Sequence, residues 1–126
     1  MTLNYSLDNT ATLAAATVVE KFTLPTGDPG FTVKAMRVKV TGGAFGGTTG
    51  NGISVNLKKG ASVLATQAIA VDAADKTAYY VDVSATSSLS PYFKAGDTFE
   101  LSPAETGTAV KSAGGITIDV ICEPAM

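Results

Sequence analysis

FTVKAMRVKV (31–40), TGGAFGGTTGNG (41–52) and ISVNL (53–57) follow one another as two strand-like segments around a loop carrying six glycines, Gly42, Gly43, Gly46, Gly47, Gly50 and Gly52. In the first segment the apolar positions are Phe31, Val33 and Ala35, after which the phase flips to Met36, Val38 and Val40. Side chains of a strand alternate faces with period two, so a flip in mid-run predicts an extra unpaired residue or a bend near Ala35-Met36. In the second segment Ile53, Val55 and Leu57 alternate with Ser54, Asn56 and Lys58, as expected of a strand with one face in a core and one in water.

The same grammar continues in both directions. Downstream, Gly60 separates two alternating runs and predicts a short hairpin with a left-handed residue, the chain returning as a strand over 62–70. Val71 to Lys76 reads as a loop, and Thr77 to Ser84 as a strand with Tyr79, Val81 and Val83 on one face and Tyr80 and Asp82 on the other. Ser90 to Asp97 predicts one helical turn, with Ser90 as cap, Pro91 at the first helical position and Gly96 as the left-handed stop. A strand over Thr98 to Leu101 follows, Phe99 and Leu101 inward, broken by Ser102-Pro103; Gly114-Gly115 turns the chain into a last strand, Ile116 to Cys122.

Upstream, Thr17 to Leu24 is predicted as a strand in spite of the Ala-rich residues before it. Asp28-Pro29-Gly30, rather than Pro25-Thr26-Gly27, is the expected type II turn into Phe31. Leu3, Tyr5 and Leu7 alternate within residues 1–10 and are set apart by the turn-prone Asp8-Asn9-Thr10. They form either an edge strand of this fold or an arm lying on a neighbouring subunit. Seven or eight short strands between Gly/Pro turns predict an all-β, antiparallel two-sheet sandwich, jelly-roll or Ig-like. With no Trp and no cysteine pair the antibody hallmarks are missing, so the jelly-roll-like form is expected, with residues 1–126 as one domain.

A compact chain of 126 residues buries roughly two-thirds of its unfolded surface and needs no covalent staple. Its single cysteine, Cys122, shares a face with Ile116, Ile118 and Val120 and reads as a buried, inert thiol. A net charge of −2 with nine scattered basic residues argues against nucleic acid, which requires a basic patch. Charged residues are 16% of the chain, against the usual ~25%. The polar surface therefore comes from Thr, Ser, Asn and Gly, which suits packing against a neighbour as well as water. The first residues lack the basic region of a secretory signal, and no run approaches the ~18 to 20 apolar residues of a membrane span. A product folded in the cytoplasm, with no membrane partner, is expected.

Histidine is absent, which removes the commonest general base and metal ligand. Nucleophile systems that rely on histidine go with it, and the lone cysteine excludes structural zinc. Asp72 and Asp75 share a loop without further acidic ligands nearby, and Glu20, Asp82, Glu100 and Asp119 are the carboxylates a glycosidase would need to pair. The latter three fall on the polar phase of their strands, so they are expected on exposed faces. The glycine loop lacks the Gly-Lys-Ser/Thr ending of a phosphate loop. No cofactor, no metal and no catalytic group are expected. Phe45 in that loop either tucks back onto the sandwich or anchors a partner. Leu3, Tyr5, Leu7 and Phe45 are thus the candidate partner-binding residues. Tyr80 and Tyr92 could stack sugar rings, although Trp, the preferred platform, is missing.

At Phe31 to Val38, at ISVNLKKG (53–60) and at FKAGDTF (93–99) the chain resembles the small β-sandwich virion proteins of tailed bacteriophages. The shared pattern is a strand, a glycine-rich loop, a strand ending in Lys/Asn-Gly and an Ala-Gly-Asp entry to a later strand, over residues 17 to 122. The resemblance implies a head decoration, or cement, protein that binds the outside of an assembled capsid and bridges its major capsid subunits, commonly as a homo-oligomer such as a trimer. It implies a virion location. Related sandwiches occur in tails and fibres, and the alternative is a carbohydrate-binding or adhesive sandwich of a tail, fibre or cell surface.

Overall fold

The computed structural model describes residues 1–7, 20–41, 52–69, 76–83, 90–106 and 115–125. These form nine strands: β1 (Thr2–Leu7), β2 (Glu20–Thr23), β3 (Phe31–Thr41), β4 (Gly52–Lys59), β5 (Ser62–Ile69), β6 (Ala78–Asp82), β7 (Tyr92–Phe93), β8 (Thr98–Thr106) and β9 (Gly115–Pro124). One sheet runs β1-β9-β3-β6, with β7 added to β3, and the other runs β2-β8-β4-β5. Every pairing is antiparallel. With β7 set aside, successive strands build two four-stranded sheets by the wrapping of a jelly roll, the form expected where the antibody hallmarks are missing.

The phase flip at Ala35-Met36 is a bulge. β3 pairs Val33 with Cys122 but Ala35 with Ile121, so Lys34 is the extra residue. Both Ala35 and Met36 are buried, and beyond them Val38 and Val40 continue the inward face. The bulge lets an 11-residue strand keep apolar side chains on the core at both ends. A second bulge sits in β5, where Leu57 faces Ala65 and Lys58 faces Val63, leaving Leu64 extra. Leu64 and Ala65 are both buried.

The core lies between the sheets. Val33, Met36, Val38, Ile116, Ile118 and Val120 face it from one side, and Val55, Leu57, Leu64, Phe99 and Leu101 from the other. Phe99 is its aromatic centre, stacked on Phe22 at 4.9 Å between ring centroids and within 5.6 Å of Phe93. Cys122 lies on the same inner face, with burial pushing its thiol up to about 11.

Three expectations are corrected. Ser90 to Asp97 does not make a helical turn: Tyr92–Phe93 pairs with β3, and Val33 N donates to Pro91 O at 2.9 Å, so strand pairing overrides the local caps. Gly96 is left-handed nonetheless, at φ 92°, in the turn that Asp97 N closes on Lys94 O. The Thr98 strand does not break at Ser102-Pro103. It continues to Thr106 along β4, while the described pairs with β2 end at Leu101, so Pro103 interrupts no described bond on that side. The hydrogen-bonded turn before β3 is Pro25 to Asp28, with Asp28 N on Pro25 O and Gly27 at φ 89°. At Gly30, φ is 84° and the N–H is held by Asp28 Oδ1 at 2.7 Å. A Cβ on Gly30 would collide with the carbonyl oxygen of Phe93.

The hairpin at Gly60 is as expected, left-handed at φ 62°. Of the predicted 17–24 strand, residues 20–23 are strand and 17–19 lie outside the described residues.

Candidate functional site

Two broad surfaces face away from the core. On the β2-β8-β4-β5 sheet the outward residues pair among themselves. Glu100, in register with Lys21 on one side and Lys58 on the other, takes an ion pair from each, at 3.7 and 3.5 Å. Ser102 Oγ donates to its second oxygen at 3.3 Å. The hydroxyls of Thr23 and Thr98 share a hydrogen bond of 2.8 Å, and Thr66 Oγ1 donates to Asn56 Oδ1, also at 2.8 Å. Alternation puts short Ser, Thr and Asn side chains outward, and register places donors opposite acceptors. The result is a face on which these polar side chains are paired with one another, around a hollow of about 350 Å³ among Lys21, Lys58, Thr98 and Glu100.

The outer face of the other sheet carries a row of larger side chains. Register sets Tyr80 of β6 opposite Arg37 of β3, and Arg37 opposite Asp119 of β9. With strands ~4.8 Å apart, the three side chains form a row about 10 Å long. Tyr80 is 63% exposed. Arg37 Nη2 donates to Asp119 Oδ2 at 3.4 Å, a long contact between side chains 53% and 35% exposed. Such a pair contributes roughly 0 to 1 kcal/mol, so it yields to a competing ligand. Beside the row lies a shallow hollow of about 370 Å³, also lined by Lys39, Ala78 and Thr117.

Leu3 and Tyr5 belong to an edge strand of this fold: β1 pairs with β9 from Thr2 to Leu7, and both side chains pack against the core. Burial and the carboxylate of Glu20 hold the Tyr5 phenol above its ordinary pKa. Leu7 is in register with Ile116. Phe45, the glycine loop before Gly52, and Asp72 with Asp75 lie outside the described residues. Tyr92 is tied down, its hydroxyl donating to Pro29 O at 3.0 Å.

The four paired-carboxylate candidates do not converge. Asp82 and Asp119 stand on the outside of one sheet, paired with Ala35 and Arg37, and Glu100 on the outside of the other. Glu20 shares the face of Phe22 on β2. Among the described residues no group of three or more acidic or cysteine side chains is arranged to hold a metal ion. The Tyr80-Arg37-Asp119 row escaped notice in the sequence, where Tyr80 and Asp119 stood out separately and for different chemistry, because Arg37 is 43 residues from one and 82 from the other and they meet only through two registers.

The fold defines an all-β jelly-roll sandwich. No protein-family model and no curated protein matches the chain.

Proposed function

We propose that this protein is a non-enzymatic virion structural protein, a capsid decoration protein that binds the outside of a phage head and bridges its subunits. A fold hosts many functions, so the weight falls on a surface. The observation that carries the reading is the internal pairing of the polar side chains on the outer face of β2-β8-β4-β5. Thr23, Thr98, Asn56, Thr66 and Glu100 already have partners on this face, so a protein surface laid over it leaves them satisfied in a dry interface. The Thr and Asn side chains among them also lose little rotamer freedom on docking. Affinity per copy is modest, and stability of the coat comes from many copies acting at once on a lattice. The resemblance at 31–38, 53–60 and 93–99 supports the same reading.

The experiment is co-sedimentation of the purified protein with empty capsids of the parent particle. Saturable binding that Lys58→Glu weakens is expected. Absence of binding at micromolar concentrations overturns the proposal.

A further inference from the structure

We propose that the hollow beside Tyr80 binds a neutral hexopyranose ring. A pyranose has one face of C–H groups and a rim of hydroxyls that both donate and accept. The row supplies a match for each part. Tyr80 offers an exposed aromatic face on which C–H groups stack. Opposite it stands Arg37, which only donates, and next in register Asp119, which only accepts. Two neighbouring hydroxyls set between that guanidinium and that carboxylate use one group as acceptor and the other as donor. Thr117 and Lys39 complete the polar lining of a cavity of about 370 Å³.

Other occupants fit less well. A nucleotide brings phosphate, and the charges here balance, with Arg37 and Lys39 against Asp119 and Asp82. A protein hot spot needs apolar neighbours that seal the anchor from water. Tyr80 stands between Ala78 and Asp82 on its strand face and opposite Arg37, which leaves the ring open at its edges to a small polar ligand. The site is on the sheet opposite the proposed capsid-contact face, so sugar binding and capsid binding fail or succeed separately.

The test is amide chemical-shift mapping of the whole protein with the methyl glycosides of glucose, galactose and mannose and with N-acetylglucosamine. Millimolar, saturable shifts at Arg37, Tyr80 and Asp119 are expected with at least one of them. Tyr80→Phe retains the binding, Tyr80→Ala weakens it about tenfold or more, and Tyr92→Ala leaves it unchanged. The exposure of Tyr80 makes both of its variants foldable, which thermal melts verify. Absence of shifts with every sugar overturns the proposal, as do shifts that survive Tyr80→Ala. Capsid binding lost in Tyr80→Ala without any sugar shift assigns the row to a protein contact instead.

Discussion

Lys59 Nζ donates to the carbonyl oxygen of Tyr92 at 2.6 Å, joining the end of β4 in one sheet to β7 in the other. The same ammonium reaches Asp97 at 3.7 Å and sits 5.7 Å from the centroid of the Phe93 ring. Its side chain is 25% exposed, so these contacts are partly shielded from water. Lys59→Met keeps the stem and removes the charge. A loss of about 1 to 2 kcal/mol is expected, read from the urea midpoint at unchanged slope.

Two glycines with similar φ, Gly27 and Gly30, should respond very differently to a methyl group. Gly27 has open space around its missing side chain, so Gly27→Ala carries only the left-handed penalty of about 1 to 2 kcal/mol. Gly30→Ala adds a collision with the backbone of Phe93 and should displace β7. Its melting temperature should fall well below that of Gly27→Ala, and equal melting temperatures would show that the Gly30–Phe93 approach is not tight.

Lys76 is the one non-glycine residue with a left-handed backbone among the described residues, at φ 68°. Its N–H donates to Val40 O at 2.8 Å, which any residue but proline can reproduce. Lys76→Gly relieves the steric term and adds back some chain entropy, for a net stabilisation of roughly 0.5 kcal/mol. Thermal denaturation is the measurement.

Alkaline pH should weaken the fold. The Cys122 thiol titrates at about 11 when folded, against 9.0 unperturbed, because burial disfavours the thiolate. A raised folded pKa means full stability below pH 9.0 and a progressive loss up to about 11, as the unfolded chain releases its proton first. Tyr5, also raised, adds a loss that starts above its ordinary value of 10.0. Cys122→Ala lowers stability at neutral pH but flattens the decline that begins near pH 9.0. Thiol labelling of the native protein should proceed only as fast as the fold opens.

Removal of residues 1–7 separates the two roles of the N-terminal segment. β1 covers β9 along six residue pairs, and the Met1 ammonium donates to Cys122 O at 3.1 Å. The truncated chain should melt at lower temperature and self-associate, because it exposes the edge of β9. A truncation that leaves melting unchanged would show β1 to be dispensable for folding.

Much of the architecture was readable because sandwich strands alternate. The break at Ala35-Met36, the inward row from Ile116 to Cys122 and the left-handed Gly60 all follow from local steric rules, and each is present. What sequence reasoning missed depends on partners distant in the chain. Ser90-Pro91 carries good helix-start chemistry, yet Pro91 O accepts the N–H of Val33, some sixty residues away. Pro103 looks like a strand breaker until the described partners of β8 show which side has none. Lys59 and Arg37 read as ordinary exposed cations, and only register reveals what each one meets.

The ring of Phe99 lies 6.3 Å from that of Tyr5, 6.2 Å from that of Phe31 and closer still to Phe22 and Phe93. Nuclei held over or beside these rings experience strong local magnetic shielding, which disperses their resonances. The aromatic knot is thus a built-in spectroscopic gauge of sheet docking: collapse of that dispersion while strand circular dichroism persists would reveal a state with paired strands and parted layers.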